Sequence, residues 1–224
     1  MEDSKYAIIS CAGIGSRLGL NKVKCLLKIN EKSLISRLLN QLNDFEIVFL
    51  VVGFQSKDVI RHVEKGDYKN VVFVFNHDYR NTGNLYSINR VLKHIHSDNI
   101  LIIDGDLLID ENSMSKIKNK ISRQPNENFV CITDTKSEDA VCVKIVKNCV
   151  TKFTFKNKLD FEWCGVAYLK RKSLLKVNDY INKTFVCTIL DKILPIESLK
   201  INCYEFDTPK DLSDFNFLKF PFKR

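Results

Sequence analysis

The stretch Tyr6-Ala7-Ile8-Ile9-Ser10-Cys11-Ala12-Gly13-Ile14-Gly15-Ser16-Arg17 decides how the chain is read. A short apolar run that meets a glycine loop suits a buried strand whose carboxyl end opens onto a ligand. Without a Cβ, glycine lets backbone N–H groups approach a phosphate closely. The loop is not the dinucleotide fingerprint, which needs glycine where Leu18 stands. Nor is it a P-loop, because no Gly-Lys-Ser/Thr follows. Two cations take the place of those patterns, Arg17 inside the loop and Lys24 beyond it. Arginine grips phosphate through two parallel hydrogen bonds, while lysine acts as a point charge. Together they describe a site for the triphosphate of a nucleotide.

Outward from that loop the chain alternates. Ser33 caps a helix whose apolar positions Leu34, Leu38, Leu39 and Leu42 keep helical spacing. Residues 47–52 read as a buried strand closed by Gly53, and Ser56 starts a helix with Val59, Ile60 and Val63 on one face. Residues 71–75 form a third strand, and Leu85, Ile88, Leu92 and Ile95 mark a third helix. A fourth strand, residues 100–103, ends in Asp104-Gly105-Asp106. Near-continuously apolar strands alternating with helices imply a parallel sheet covered on both faces. After about residue 126 the rhythm changes. Residues 129–133, 141–146, 150–155 and 163–169 read as strands without helices between them, so this half is expected to be antiparallel or mixed. Helices are expected near residues 173–181 and 185–194, then a strand at 202–206. Pro209 opens the last helix at its first turn. The expectation is one α/β domain over residues 1–224, with a nucleotide-binding half to about residue 125 and an acceptor-binding half from about 126.

Open parallel sheets bind ligands beyond the carboxyl ends of their strands. Asp104 and Asp106 flank a glycine at such an end. Alternation along an extended segment would turn one of them toward the site. A hard divalent cation takes one or two carboxylates together with phosphate oxygens. Asp207, in Tyr204-Glu205-Phe206-Asp207-Thr208-Pro209, either completes that metal site, caps the last helix, or does both.

At 224 residues and 45% hydrophobic content the chain buries roughly 70% of its unfolded surface, enough for a core without staples. Thirty-five Lys and Arg against 27 Asp and Glu leave a net charge of +8. Lys116, Lys118 and Lys120 read as surface positions of a polar helix, so neither nucleic acid nor membrane is expected as a partner. The eight cysteines form no C-x-x-C pair and sit in apolar flanks, which suits reduced core thiols of a cytoplasmic protein. The acidic, polar start is not expected to act as a signal peptide, and the longest apolar run, residues 47–52, falls far below a membrane span of about 20 residues.

The segment Ala12-Gly13-Ile14-Gly15-Ser16-Arg17-Leu18-Gly19, followed by Lys24-Cys25-Leu26-Leu27, resembles the signature of nucleotidyltransferases that activate sugar 1-phosphates or phospho-alcohols. Phe75-Asn76-His77-Asp78-Tyr79, Asn84-Leu85-Tyr86-Ser87 and Ile103-Asp104-Gly105-Asp106 extend the likeness toward the phosphocholine cytidylyltransferases of bacterial surface-polymer pathways, as does the Asp207 segment. The resemblance implies a Rossmann-like, GT-A-type α/β fold, a mainly parallel mixed sheet flanked by helices with a small acceptor-binding β region. It implies that Ala12, Gly13, Ile14, Gly15 and Ser16 hold the nucleotide, that Arg17 stabilises pyrophosphate, and that Lys24 meets the α-phosphate. Asp106 and Asp207 would bind Mg²⁺, with Asp104 beside the nucleotide. Asn76 and Asn84 would read the base, which favours CTP. Lys156 and Glu162 would meet a small phosphorylated acceptor.

Where the phosphocholine enzymes carry an acidic–aromatic pair, this chain has Glu138-Asp139-Ala140-Val141, so phosphocholine is expected to be a poor acceptor. Another phosphorylated alcohol, a phosphonate or a sugar 1-phosphate fits the same pattern, and so does a guanylyl-, uridylyl- or thymidylyltransferase. A glycosyltransferase would use Asp104-Gly105-Asp106 differently, but it would not ordinarily carry the Arg17 and Lys24 loop. A regulatory domain without catalysis would not need Arg17, Lys24, Asp106 and Asp207 together. No helix shows a sustained heptad seam, which leaves oligomeric state open.

Overall fold

The computed structural model describes residues 5–19, 21–95, 99–136, 140–155, 159–175 and 185–217. The first strand, β1 (Tyr6–Cys11), leads through two 3₁₀ turns to the short hairpin β2 (Lys28–Ile29) and β3 (Lys32–Ser33). There follow α1 (Leu34–Gln41), β4 (Ile47–Val52), α2 (Ser56–Glu64), β5 (Val71–Phe75), α3 (Asn84–Leu92) and β6 (Asn99–Asp104). Next come β7 (Leu107–Ile109), α4 (Glu111–Arg123), β8 (Phe129–Asp134), β9 (Cys142–Val146), β10 (Cys149–Thr154) and β11 (Phe161–Lys170). The chain closes with α5 (Arg171–Leu175), α6 (Val186–Leu190), β12 (Ile196–Lys200), β13 (Cys203–Glu205) and α7 (Pro209–Phe217).

Nine of these strands form one sheet in the order β5-β4-β1-β6-β11-β8-β12-β10-β9. The four from the first half run parallel, with β1 between β4 and β6 and β5 outside β4. Beyond them β11 is antiparallel to β6 and β8, β12 is parallel to β8, and β10 is antiparallel to β12 and β9. The change of rhythm after residue 126 is this change of pairing. Side chains of β1 alternate between two apolar layers. Ala7, Ile9 and Cys11 join Leu38, Val59 and Ile117 from α1, α2 and α4 on one face, and Ile8 joins Leu85 and Ile88 of α3 on the other. Burial on both faces is why β1, β4 and β6 read as unbroken apolar runs.

Ser33 caps α1 as its spacing requires, accepting from Ser36 N–H at 3.1 Å. All eight cysteines are free thiols, and all but Cys149 are buried. Three differences from the sequence reading matter. β12, with the pattern Ile-Glu-Ser-Leu-Lys, carries too few apolar residues to announce itself and is a strand because β8 and β10 flank it. The helix expected at 185–194 stops as α6 and tightens into a 3₁₀ turn, Asp191–Ile193. Most of the helix expected at 173–181 lies outside the described residues. Lys120 is not a free surface lysine. Its Nζ pairs with Glu197 of β12 at 2.5 Å and lies 5.4 Å from the Phe129 ring. Among the described residues no helix is long and apolar enough to cross a membrane.

Candidate active site

A cleft of about 670 Å³ opens at the carboxyl ends of β1 and β6. Ala12, Gly13, Ile14, Gly15, Ser16, Arg17, Lys24, Asn76, Asn84, Asp104, Asp106, Glu162 and Asp207 all line it. Lys156, and the Glu138-Asp139 pair, lie outside the described residues. Two glycines shape the loop differently. A Cβ at Gly13 would meet no protein atom within 4 Å, so that position faces open cleft. Gly15 has φ +64°, and a Cβ there would stand 2.8 Å from Lys24 Cγ. The bare left-handed backbone of Gly15 is what lets the lysine stem pass. Buried Leu18 anchors the 3₁₀ turn Ser16–Leu18 that carries Arg17.

Charge concentrates on Lys24. Its Nζ donates to Asp106 Oδ2 at 2.9 Å and also to Asp207 Oδ1, while Arg17 Nη2 donates to Asp207 Oδ2 at 2.8 Å. Burial works against the ammonium, yet the carboxylates of Asp106 and Asp207 outweigh it and hold its pKa above that of an ordinary lysine. The pair meets because of a short ladder absent from the sequence reading. β13 pairs antiparallel with β7, Glu205 opposite Leu107, and Phe206 N–H reaches Asp106 O at 3.4 Å. Asp106 precedes one strand and Asp207 follows the other, so the ladder brings them side by side. Asp207 does not cap α7. That capping box belongs to Thr208 and Asp211, whose carboxylate accepts from Thr208 N–H at 2.6 Å while Asp211 N–H donates to Thr208 Oγ1 at 3.3 Å.

The ladder also delivers a residue that sequence reasoning left out. Carboxylate oxygens of Asp106, Glu205 and Asp207 all lie within 4.8 Å of one another. Partial loss of water, then the like charges of Asp106, Asp207 and Asp104, push Glu205 well above the usual carboxylate range. These are hard oxygen donors, and an ammonium already sits between two of them. The set therefore fits a hard divalent cation. The signal was the acidic pair around Phe206, with Glu205 and Asp207 both within reach of a cleft at a strand end.

Asp104 lines the cleft together with Asp106, where only one of the two was expected, since residues i and i+2 of an extended segment share a face. Burial, then the charge of Asp106, raise it to about 7. Its Oδ1 accepts from Asn84 Nδ2 at 3.3 Å, and Asn84 Oδ1 accepts from Val186 N–H at 3.1 Å, which ties α3 to α6 across the cleft.

Asn76 requires a correction. It is buried, its Nδ2 donates to Thr82 Oγ1 at 3.0 Å and Ser87 Oγ at 3.1 Å, and its Oδ1 accepts from Asp78 N–H at 3.0 Å. The amide organises the loop between β5 and α3, and does not present a free edge to a base. The side of the cleft formed by the second half of the chain is aromatic. Phe155 and Phe185, 65% and 55% exposed, line the cleft with Trp163, whose Nε1 donates to Val166 O at 3.2 Å. The lack of an aromatic before Val141 is thus not a lack of aromatics in the cleft.

A GT-A-like nucleotidyltransferase is the class that this fold and cleft define. Residues 7–155 match the family model of the MobA-like NTP transferase domain, and the chain belongs to that family. A stretch of 102 residues is 33% identical to the bifunctional protein GlmU of Thermodesulfovibrio yellowstonii, covering 44% of this chain and 21% of that protein. The chain thus matches only about a fifth of that relative's length. Solved structures share the fold at low identity. An inositol-1-phosphate CTP transferase from T. maritima superposes with TM-score 0.80 at 18% identity over 96% of this chain and 94% of its own. For the CTP:phosphocholine cytidylyltransferase of Streptococcus pneumoniae the values are 0.76, 20%, 95% and 98%. A chain from Bacillus anthracis, provisionally assigned as a glucose-1-phosphate thymidylyltransferase, gives 0.82 at 16% identity over 98% of both chains.

Proposed function

We propose that the protein transfers a nucleoside monophosphate, from CTP by preference, to a small phosphorylated alcohol, phosphonate or sugar 1-phosphate. An acceptor phosphate oxygen attacks the α-phosphorus in line, the α–β P–O bond breaks, and pyrophosphate leaves. The observation that carries this is the Lys24 ammonium fixed between Asp106 and Asp207 beside a glycine loop with open space at Gly13. No covalent intermediate is needed, so the protein supplies position and charge. Arg17 holds charge for the leaving pyrophosphate and Lys24 for the α-phosphate. Asp106 and Asp207, with Glu205, would hold Mg²⁺, which when bound neutralises phosphate oxygens.

In this reading residues 12–16 hold the nucleotide, and the half beyond residue 126 supplies Glu162 and the aromatic wall to the acceptor. CTP is favoured by the motif resemblance and agrees with two structural relatives named for CTP chemistry. Asn76 is engaged within its loop and Asn84 with Asp104 and Val186, so the preference for CTP rests on the motif resemblance. The activated product suits the assembly of a surface polymer. A pyrophosphate-release screen of four nucleotides against phosphorylated alcohols, phosphonates and sugar 1-phosphates with Mg²⁺ tests the whole reading. It expects CTP to exceed ATP and GTP by at least ~10²-fold in kcat/KM. Release without an acceptor, or none with any pair, overturns it.

A further inference from the structure

The segment from Ala12 to Lys24 carries the glycine loop and both cations, and one turn, residues 53–55 between β4 and α2, fastens it at each end. At its start Phe54 N–H donates to Ala12 O at 3.0 Å. The approach is so close that a Cβ on Gly53 would stand 2.7 Å from that oxygen. At its end the side-chain amide of Gln55 donates through Nε2 to Asn21 O at 2.9 Å and accepts through Oε1 from Val23 N–H at 3.1 Å. An amide that grips a C=O and an N–H two residues apart does the work of a strand partner. Val23 is buried, and the 3₁₀ turn Lys24–Leu26 starts directly after it.

Locally, Gln55 is a poor choice. It has φ 48° and ψ 36°, a left-handed conformation that suits glycine, and it begins α2 without capping it. A residue serving only to start that helix would be Ser, Thr, Asp or Asn, with its oxygen on the first turn. Asn21, at the other side of the clamp, is also left-handed at φ 45°. Backbone strain of this kind persists where the surroundings over-determine it, and it clusters at functional sites. Among the described residues, both hydrogen bonds of the side chain go to the segment that enters Lys24.

We propose that Gln55 is a positioning residue that sets the Lys24 ammonium against the reacting phosphate. The inference rests on the transferase reading of Lys24 given above. A shift of the 21–23 segment would move the root of a side chain that must meet one oxygen among several.

Gln55→Gly in the full chain tests it, because glycine accepts the same φ and only the amide is lost. Gln55→Met is the second variant, close in length and without the hydrogen bonds. Both are expected to lower kcat for pyrophosphate release about 10-fold while the KM for CTP stays within about 2-fold. The Tm of Gln55→Gly should not fall, which separates positioning from mere support of the fold. In a Lys24→Ala background, Gln55→Gly should cost less than about 2-fold more, since its partner in the effect is gone. Wild-type kcat in both variants overturns the proposal, as does a full second loss in the Lys24→Ala background. An unchanged kcat in Lys24→Ala alone would overturn the catalytic reading of Lys24 and, with it, anything for Gln55 to position.

Discussion

Gly165 and Asp104 are packed so closely that a Cβ on the glycine would stand 2.7 Å from Asp104 Oδ2 and 3.1 Å from Asp104 Cβ. Gly165 has φ +75° and lies where the pairing of β11 with β8 shifts register between Trp163 and Ala167. The bulge and the missing side chain together let a central strand pass beneath a carboxylate of the cleft. Gly165→Ala should therefore lose about 1–3 kcal/mol of stability from the backbone alone. It should also lower kcat by at least ~10-fold through displacement of Asp104. Gly19, left-handed at φ +69° but with nothing within 4 Å of its Cβ position, provides the comparison. Thermal melts of both alanine variants should show the larger drop for Gly165→Ala, and equal drops would mean the Asp104 contact is dispensable.

Lys24→Ala should lower kcat about 10²-fold or more with little change in nucleotide affinity, if the ammonium meets charge that builds in the transition state. Arg17→Ala should cost a comparable factor. Arg17→Lys should not restore it, because the planar fork that reaches Asp207 and a phosphate together is lost. Steady-state kinetics on folded variants, with nucleotide binding measured separately, decide between this and a purely structural cluster.

The parts of this arrangement legible in the sequence were those written in local periodicity. Runs buried on both faces marked β1, β4 and β6, an apolar run marked the edge strand β5, and the glycine loop with Arg17 and Lys24 marked the cleft. What stayed hidden depends on pairing between distant residues. The three-residue strand β7 went unread, and the strand expected at 202–206, which is β13, gave no sign of its partner, yet their ladder is what joins Asp106 to Asp207 and adds Glu205. Asn76 misled for a related reason. An amide at a strand end looks free until Thr82 and Ser87 fold back onto it. Gln55 gave no warning at all, since its partners are backbone atoms more than thirty residues away.

Removal of charge at the acidic cluster should be graded. Asp106→Asn and Asp207→Asn should each abolish metal-dependent turnover in a folded protein, because shape is kept and charge is lost. Glu205→Gln should leave residual turnover and raise the Mg²⁺ concentration needed for half-maximal rate. EDTA should stop the wild type. Full activity in Asp207→Asn would confine that residue to its ion pairs with Arg17 and Lys24.

One contribution to the pH dependence of stability should come from outside the cleft. His62 Nε2 lies 2.7 Å from Ser33 Oγ and 3.0 Å from Ser36 Oγ, at the start of α1. Partial burial, then the charges of Lys28 and Lys65, lower its pKa below the ordinary 6.5. As pH falls through 6.5 the unfolded chain takes the proton first, so the His62 contribution drops until the lower folded pKa is passed and then levels off. Asp104 and Glu205, whose folded pKa values are raised, act in the opposite sense over this range. The His62 contribution is therefore read as the stability of the wild type minus that of His62→Gln in urea melts from pH 7.5 to pH 5, a difference that should fall as pH falls. A slope unchanged in that variant would assign the effect to other groups.

In the proposed transfer, the aromatic wall of the cleft is the feature to test for substrate choice. Phe155 and Phe185 expose large aromatic faces into the cleft beside Trp163 and Glu162, an unusual use of exposed apolar surface. If they enclose the acceptor, Phe155→Ala and Phe185→Ala should each raise the acceptor KM while leaving the KM for CTP unchanged. For an acceptor with an organic cation, a desolvated cation–π contact of about 2 kcal/mol corresponds to roughly 30-fold. For a sugar 1-phosphate the same truncation removes only packing and should cost about 3–10-fold. Glu162→Gln separates the two further. The carboxylate balances a cationic acceptor but only hydrogen-bonds a sugar hydroxyl, so a large KM increase is expected for the cation and a small one for the sugar. Kinetics of the three variants against phosphocholine and against a sugar 1-phosphate would read out both comparisons, and unchanged acceptor KM values in all three would place the acceptor elsewhere in the cleft.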